Sequence, residues 1–370
     1  MSRSIVPDTI ARQPWQVLIP LVALVALGSA VLYSAAGGHL QPYSLSHGGR
    51  FAVFLVAAAM LAHVPRDLFK LAAYPMYGVI LFLLVLVELL GAVGGGSQRW
   101  LNLGFMTLQP SELMKPGIVL VLARLYDTLP ASITASWRGL VPAGVLIGTP
   151  ALLVMLQPDL GTGLAICFGG AVTMFLAGLP LWWFLSAGGA VAVIAPVAFF
   201  TLLHEYQRNR VLVFLDPESD PLGTGYHITQ SKIAIGSGGL FGKGFGNGSQ
   251  SHLDYLPESH TDFVFATMAE EWGMAGGLFV LFVFALLMRW GLSVARKSTD
   301  RFSSLLAAGM TATVFFYVAI NLMMVMGLAP VVGIPLPFMS HGGSSMMTNM
   351  ICVGTIMAVN RWQRRPSGLN

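Results

Sequence analysis

Long apolar runs separated by short polar breaks dominate the chain. Most approach the roughly 20 residues that a helix needs to cross a bilayer. The pattern predicts ten helices, over about 16–35, 50–63, 72–92, 110–128, 139–156, 159–178, 181–203, 262–289, 304–327 and 342–361. The second run is short, and the fourth opens with polar residues. One connection, about 204–261, far exceeds the usual few residues of a loop. Within it, Ile228, Lys232 and Ile235 fall at helical spacing, which predicts a short amphipathic helix at the membrane surface. No internal repeat is visible, which weighs against an inverted-repeat transporter. The fold class is therefore all-α: one polytopic membrane domain over 1–370 with a large loop between its seventh and eighth helices.

Composition agrees. Hydrophobic residues make up 55% of the 370 and charged residues only 10%, against about 25% charged in soluble domains. The first run follows Arg3 and Arg12 without an A-x-A-like cleavage site, so it is read as a retained span. Cys167 and Cys352 both lie in apolar runs and form no disulfide framework. With the N-terminus inside, the cytoplasmic segments hold 13 Lys and Arg residues and the opposite side holds 6. That asymmetry predicts both termini in the cytoplasm. The acids run the other way, so polar chemistry concentrates on the extracytoplasmic face.

That face carries several dense motifs. In 256–265, Glu258, His260 and Asp262 fall within five positions just before an apolar run. Thr261 or Asp262 suits a helix N-cap. The stretch 236–248 holds seven glycines in 13 residues but fits neither the phosphate-loop pattern nor G-x-G-x-x-G. Its backbone N–H groups, with Lys232 and Lys243, are suited to a diphosphate, and a plain surface loop is the competing reading. Arg99, beside Trp100, offers a planar fork for phosphate. Gln109 precedes Pro110, which suits a first helical turn. Glu112 and Lys115 are three residues apart and can pair; we expect them to line a cavity wall. Asp159 suits the N-cap of the next helix. Glu270 and Glu271 lie deep in an apolar run and must be paired or protonated. No H-E-x-x-H, paired C-x-x-C or G-x-S-x-G occurs, so zinc protease and serine hydrolase readings lack support.

Together these motifs resemble the SEDS family (shape, elongation, division, sporulation), which includes RodA and FtsW. The resemblance spans nearly the whole chain and rests on 97–102, 109–115, 157–161, 236–248, 256–265 and 335–344. The segments 226–239 and 242–244 look more like the RodA branch. One departure is Ser340-His341-Gly342-Gly343, where the family usually reads Ser-Tyr-Gly-Gly.

The resemblance implies a peptidoglycan glycosyltransferase at the bacterial cytoplasmic (inner) membrane, serving cell elongation and rod shape. It would polymerise lipid II on the outer face. The GlcNAc 4-hydroxyl of lipid II would attack the glycan on undecaprenyl diphosphate, with inversion and release of the diphosphate. The family's essential aspartate maps onto Asp262. A base must stand near the attacking hydroxyl, and positive charge must meet the leaving group. Arg99, Arg208, Arg210, Lys232 and Lys243 are candidates for that charge; Gln109, Glu112, Lys115, Glu258 and His260 complete the candidate binding set. A helix N-terminus favours a charged carboxylate, so desolvation or Glu258 would have to oppose it if Asp262 acts as base. Orienting the acceptor and holding a divalent cation (Mg or Mn) are its other readings. The implied partners are a class B penicillin-binding protein and other elongation-complex membrane proteins, with no nucleic acid. Exposed residues on the eighth and ninth helices, such as Gly276-Gly277, point weakly to that interface. A lipid II flippase, a division-specific FtsW-like polymerase and a scaffold without chemistry are the alternatives.

Overall fold

The structure, a computed structural model, describes residues 14–90, 92–94, 97–102, 107–157, 159–201, 205–216, 220, 223–253 and 255–364. Its helices are α1 (Trp15–Ala35), α2 (Ser44–Leu61), α3 (Arg66–Leu90), α4 (Pro110–Thr128), α5 (Ala131–Thr134), α6 (Trp137–Leu156) and α7 (Leu160–Leu176). There follow α8 (Leu181–Thr201), α9 (Glu205–Leu215), α10 (Thr224–Ser237), α11 (Ser249–His252), α12 (Val264–Lys297), α13 (Arg301–Val325) and α14 (Gly343–Arg364). The ten expected helices are α1–α4, α6–α8 and α12–α14. Between α3 and α4 the chain forms a small antiparallel sheet, β1 (Ala92–Gly94), β2 (Ser97–Asn102) and β3 (Thr107–Leu108), in that spatial order. The all-α reading missed it, because β1 and β3 are very short and β2, Ser-Gln-Arg-Trp-Leu-Asn, does not alternate apolar and polar residues.

Among the described residues, α1, α2, α3, α6, α12 and α13 are long and apolar enough to cross a membrane. The mixed polarity of α4 has a physical reason. It is buried on nearly every side, between α3, α7, α13 and α14. A helix surrounded by protein can carry polar residues that find partners there. The start of α2 comes six residues earlier than the apolar pattern marks. Ser44 Oγ donates to the Ser29 carbonyl at 3.0 Å, and His47 Nε2 lies 3.1 Å from the Phe338 carbonyl. These polar positions are helical because other elements satisfy them. Most side chains of α8 are exposed, so it stands at the bundle's edge.

α12 is 34 residues long, or about 51 Å at 1.5 Å per residue, and it is broken at Gly273 (φ 66°, ψ −162°). The break is bridged from outside. Lys243 N and Gly244 N donate to the carbonyls of Glu270 and Glu271, both at 3.0 Å. In return, Met274 N and Ala275 N donate to the carbonyls of Gly239 and Leu240 at 2.9 and 3.1 Å. Glycine is required at this contact. A Cβ on Gly242 would lie 2.0 Å from the Glu271 oxygen, and one on Gly273 would lie 2.4 Å from Gly242 N. Two backbone donors of the glycine run, Lys243 N and Gly244 N, are thus engaged by the broken helix and are not available to a diphosphate.

The helix expected within 226–235 is α10. It buries Ile228, Ser231 and Ala234 against α12 and α13, and Ser231 Oγ donates to the Val325 carbonyl at 2.7 Å. The buried stripe is therefore 228–231–234, with Lys232 on the exposed side. The Gly276-Gly277 pair, expected as an exposed interface pointer, is buried: a Cβ on Gly276 would meet Trp272 at 2.5 Å. At the opposite end of the bundle, cations hold helix ends together. Arg301 donates to the carbonyls of Leu129 and Ala177 and to Thr134 Oγ1, and Lys70 pairs with Asp127 at 2.8 Å.

Replacing Gly273 with alanine is expected to cost about 2–4 kcal/mol, from left-handed strain plus the collision with Gly242. Gly246→Ala, also at positive φ but with open space around it, is expected to cost only about 1–2 kcal/mol. Thermal unfolding of both variants in detergent checks the difference; equal shifts would contradict the bridge.

Candidate active site

The 256–263 segment forms a tight turn on the face that carries α10. Leu256 and Phe263 anchor it, at 2% and 1% exposure. Between them Glu258 adopts φ 53°, and its carbonyl accepts from Thr261 N and Phe263 N at 3.1 and 3.3 Å. Thr261 Oγ1 donates to Glu258 Oε2 at 2.6 Å. Helix α12 starts at Val264, and its N-cap position falls on Phe263. Neither Thr261 nor Asp262 is the cap. Burial of Phe263 sets the helix start, and this leaves Asp262 in the turn. The Asp262 carbonyl accepts from Asn321 Nδ2 at 2.8 Å. Its carboxylate, half-buried, faces the loop 326–342, with Oδ2 3.4 Å from where a Cβ on Gly333 would sit. Lys232 lies along the same loop, against Gly327.

A second set of contacts ties this turn to α2. The His260 ring stacks on Tyr43, with centroids 4.2 Å apart, and the His260 carbonyl accepts from His341 N at 2.9 Å. His341 Nε2 lies 3.0 Å from Ser46 Oγ and 3.1 Å from an Arg50 Nη. Arginine can only donate, so Nε2 is the acceptor and the ring is neutral, with its proton on Nδ1. Burial, then the Arg50 charge, hold the His341 pKa down at about 4. Burial also lowers that of His260, against the opposing pull of Glu258. Histidine therefore serves at 341 as an uncharged acceptor for Arg50. Arg50, Ser46 and Tyr43 escaped the sequence reading; the available signal was a polar cluster just ahead of the second apolar run.

The remaining candidates divide into three settings. Arg99, Gln109 and Asp159 gather at the start of α7. Asp159 caps that helix as expected, accepting from Thr162 N at 3.1 Å. Gln109 Nε2 donates to its other oxygen at 3.1 Å, Arg99 Nη1 lies 4.0 Å from it, and Arg99 Nε donates to the Gln157 carbonyl at 3.0 Å. Glu112 and Lys115 do pair, at 2.6 Å, and both are buried. Lys115 is 1% exposed and also donates to the Tyr317 hydroxyl at 2.6 Å, which in turn donates to Glu112. This closed triad joins α4 to α13, and removing one member would strand a buried charge.

Lys243 is likewise engaged, with Glu270 Oε1 at 2.6 Å. Glu270 also accepts from Ser249 N and Gln250 N, and so holds the first turn of α11. Glu271 accepts from Ser34 of α1. Both deep carboxylates thus serve the bundle. Arg208 sits on α9, half-buried. Arg210 is on the same helix, and its side chain lies outside the described residues. No cluster of three or more His, Cys, Asp or Glu is placed to hold a metal among the described residues. A magnesium ion commonly uses one or two carboxylates plus substrate phosphates, a role that Asp262 and Glu258 fit chemically.

Comparison with known proteins places this geometry. The family described as cell cycle protein, covering FtsW, RodA and SpoVE, matches residues 13–365. Peptidoglycan glycosyltransferase MrdB of Escherichia coli K12 is 43% identical over 357 residues, 95% of this chain and 94% of that protein. The probable peptidoglycan glycosyltransferase FtsW of Coxiella burnetii is 34% identical, over 91% of each chain. The rod shape determining protein RodA of Thermus thermophilus superposes with a TM-score of 0.72 at 29% identity, over 97% of this chain and 100% of that one. A chain solved in work on the coordination of polymerization and crosslinking by a peptidoglycan synthase complex superposes with a TM-score of 0.81 at 33% identity, over 96% and 99%.

The clamp should respond to pH. Unfolded histidine titrates near 6.5 and folded His341 near 4. Between those values the unfolded chain takes up a proton that the folded clamp refuses, so stability falls as pH falls through the window. Thermal unfolding in detergent from about pH 7.5 to about pH 4.5 is expected to show a shallower decline for His341→Gln than for wild type. Identical slopes would contradict the neutral-acceptor role.

Proposed function

The chain belongs to the FtsW, RodA and SpoVE family of cell cycle proteins, and from that premise we propose a peptidoglycan glycosyltransferase centred on Asp262. The observation that carries this reading is the placement of the Asp262 carboxylate. It is held in a clamped turn, facing the 326–342 loop, at the end of the bundle where the polar motifs gather. The substrate is lipid II, and the product is a glycan strand for cell elongation. The polymerase operates in the bacterial inner membrane with its termini in the cytoplasm and Asp262 on the outer face. Higher identity to MrdB than to FtsW supports the elongation role over division.

The chemistry follows from the setting. The acceptor 4-hydroxyl arrives beside Asp262, which takes its proton as the oxygen attacks the anomeric carbon. The bond to the undecaprenyl diphosphate breaks on the far side, giving inversion. Two constraints, Asn321 on the Asp262 carbonyl and the stacked His260, fix the base before substrate arrives. Such preorganisation is what a positioned base needs. Lys232, exposed beside the same loop, is the leading cation for the diphosphate, with Arg208 and Arg210 of α9 as further candidates. Lys115 and Lys243 are set aside because each is already paired with a buried carboxylate. Arg50, with donors beyond its bond to His341, joins the set. A class B penicillin-binding protein is the proposed partner, consistent with the peptidoglycan synthase complex of the structural neighbour.

Incubation of the purified chain with lipid II in detergent, together with a class B penicillin-binding protein, tests the activity where there is no membrane to cross. Glycan strands resolved on a gel are the expected result. Their absence, with lipid II translocation by the same preparation in vesicles, would replace the polymerase with a flippase. Lys232→Gln is expected to slow polymerisation by about 10-fold or more, the loss of one charged contact to the leaving group.

A further inference from the structure

A groove of about 680 Å³ runs between α1 and α12, at the end of the bundle opposite Asp262. Its volume lies within the roughly 300–1,000 Å³ typical of small-molecule sites. Ile19 and Ala23 of α1 and Phe279 and Phe282 of α12 form apolar walls. Arg289 and Lys297 stand at its mouth. They are eight residues apart, two turns along one helix face. Both are exposed, and neither makes an ion pair among the described residues. Arg66, Lys70, Arg124 and Arg301 at the same end are all engaged with partners.

Depth identifies the occupant. From Phe279 to Arg289 is about 15 Å and from Ala23 to Trp15 about 12 Å, at 1.5 Å per residue. The hydrocarbon core is about 30 Å thick, so the apolar walls span one leaflet. A second groove, at Phe241, Phe245, Trp272 and Gly276, continues along α12 from Phe279 but is lined by no cation among the described residues, so of the two only the first pairs apolar walls with positive charge. An acyl chain fits the depth, and a phosphate fits the unpaired cations. Trp15 and Trp290 at the mouth suit the headgroup level. We propose that this groove binds one anionic phospholipid, its headgroup on Arg289 and Lys297 and an acyl chain along Phe279, Phe282, Ile19 and Ala23. In the orientation proposed above, this lipid belongs to the cytoplasmic leaflet, where anionic headgroups attract basic residues.

Native mass spectrometry tests the site on the full chain, exchanged into detergent with phosphatidylglycerol and phosphatidylcholine of matched acyl chains. Preferential retention of phosphatidylglycerol is expected. Arg289→Gln combined with Lys297→Gln should lower that retention roughly 10- to 30-fold, to the level of phosphatidylcholine. Ala23→Phe, which fills the groove, should lower retention of both lipids, and Arg138→Gln, at the same end but away from the groove, should change nothing. Equal retention of the two lipids by wild type would overturn the proposal. So would an equal loss in Arg138→Gln, which would mean diffuse attraction, or lipid retention untouched by Ala23→Phe, which would leave the groove to a protein helix.

Discussion

Two main-chain carbonyls, those of Glu270 and Glu271, set the terms for one end of this molecule. The break at Gly273 frees them from the helix ladder of a membrane-spanning segment. Hydrocarbon offers no donors, so each would cost several kcal/mol, about the price of any unpaired backbone group at that depth. The glycine run supplies Lys243 N and Gly244 N, and takes Met274 N and Ala275 N in exchange. Side chains reinforce the exchange: the Glu270 carboxylate holds Lys243 and the first turn of α11. The connection from α10 to α12 is thereby fastened to the bundle. Without that fastening, the long segment preceding the Asp262 turn would have no fixed path.

From this anchor the site is built by contacts between distant parts of the chain. Asn321 of α13 holds both the Asp262 carbonyl and, at 2.7 Å, the Ile334 carbonyl, so the turn and the proline-rich loop share one side chain. His341, at the end of that loop, reaches back to His260 and across to Arg50 of α2. The charged triad of Glu112, Lys115 and Tyr317 fixes α4 against the same helix that carries Asn321. The turn that carries Asp262 is therefore held from α13, from the 326–342 loop and, through His260, from the start of α2.

Much of this was legible in the sequence, for reasons that vary by residue. The helices could be read because lipid demands long apolar runs, and Asp159 because an N-cap is a local event three residues long. The 256–265 stretch stood out because charge is scarce elsewhere. What stayed hidden depended on partners far along the chain. The early start of α2 rests on Ser29 and Phe338, and the enclosure of Lys115 rests on Tyr317, 202 residues away. The glycine run looked like an anion cradle because its composition is the same whether its N–H groups meet a phosphate or a broken helix. Asp262 looked like a cap because local pattern cannot show that the buried Phe263 takes the position that begins the helix.

The central claim is that the Asp262 carboxylate takes part in glycosyl transfer. It is tested most directly by the rate at which purified Asp262→Asn polymerises lipid II, once its thermal unfolding matches that of wild type. The amide keeps the shape and loses the base, so the account predicts a fall of about 100- to 10,000-fold. Near-wild-type polymerisation by a folded Asp262→Asn protein would contradict it.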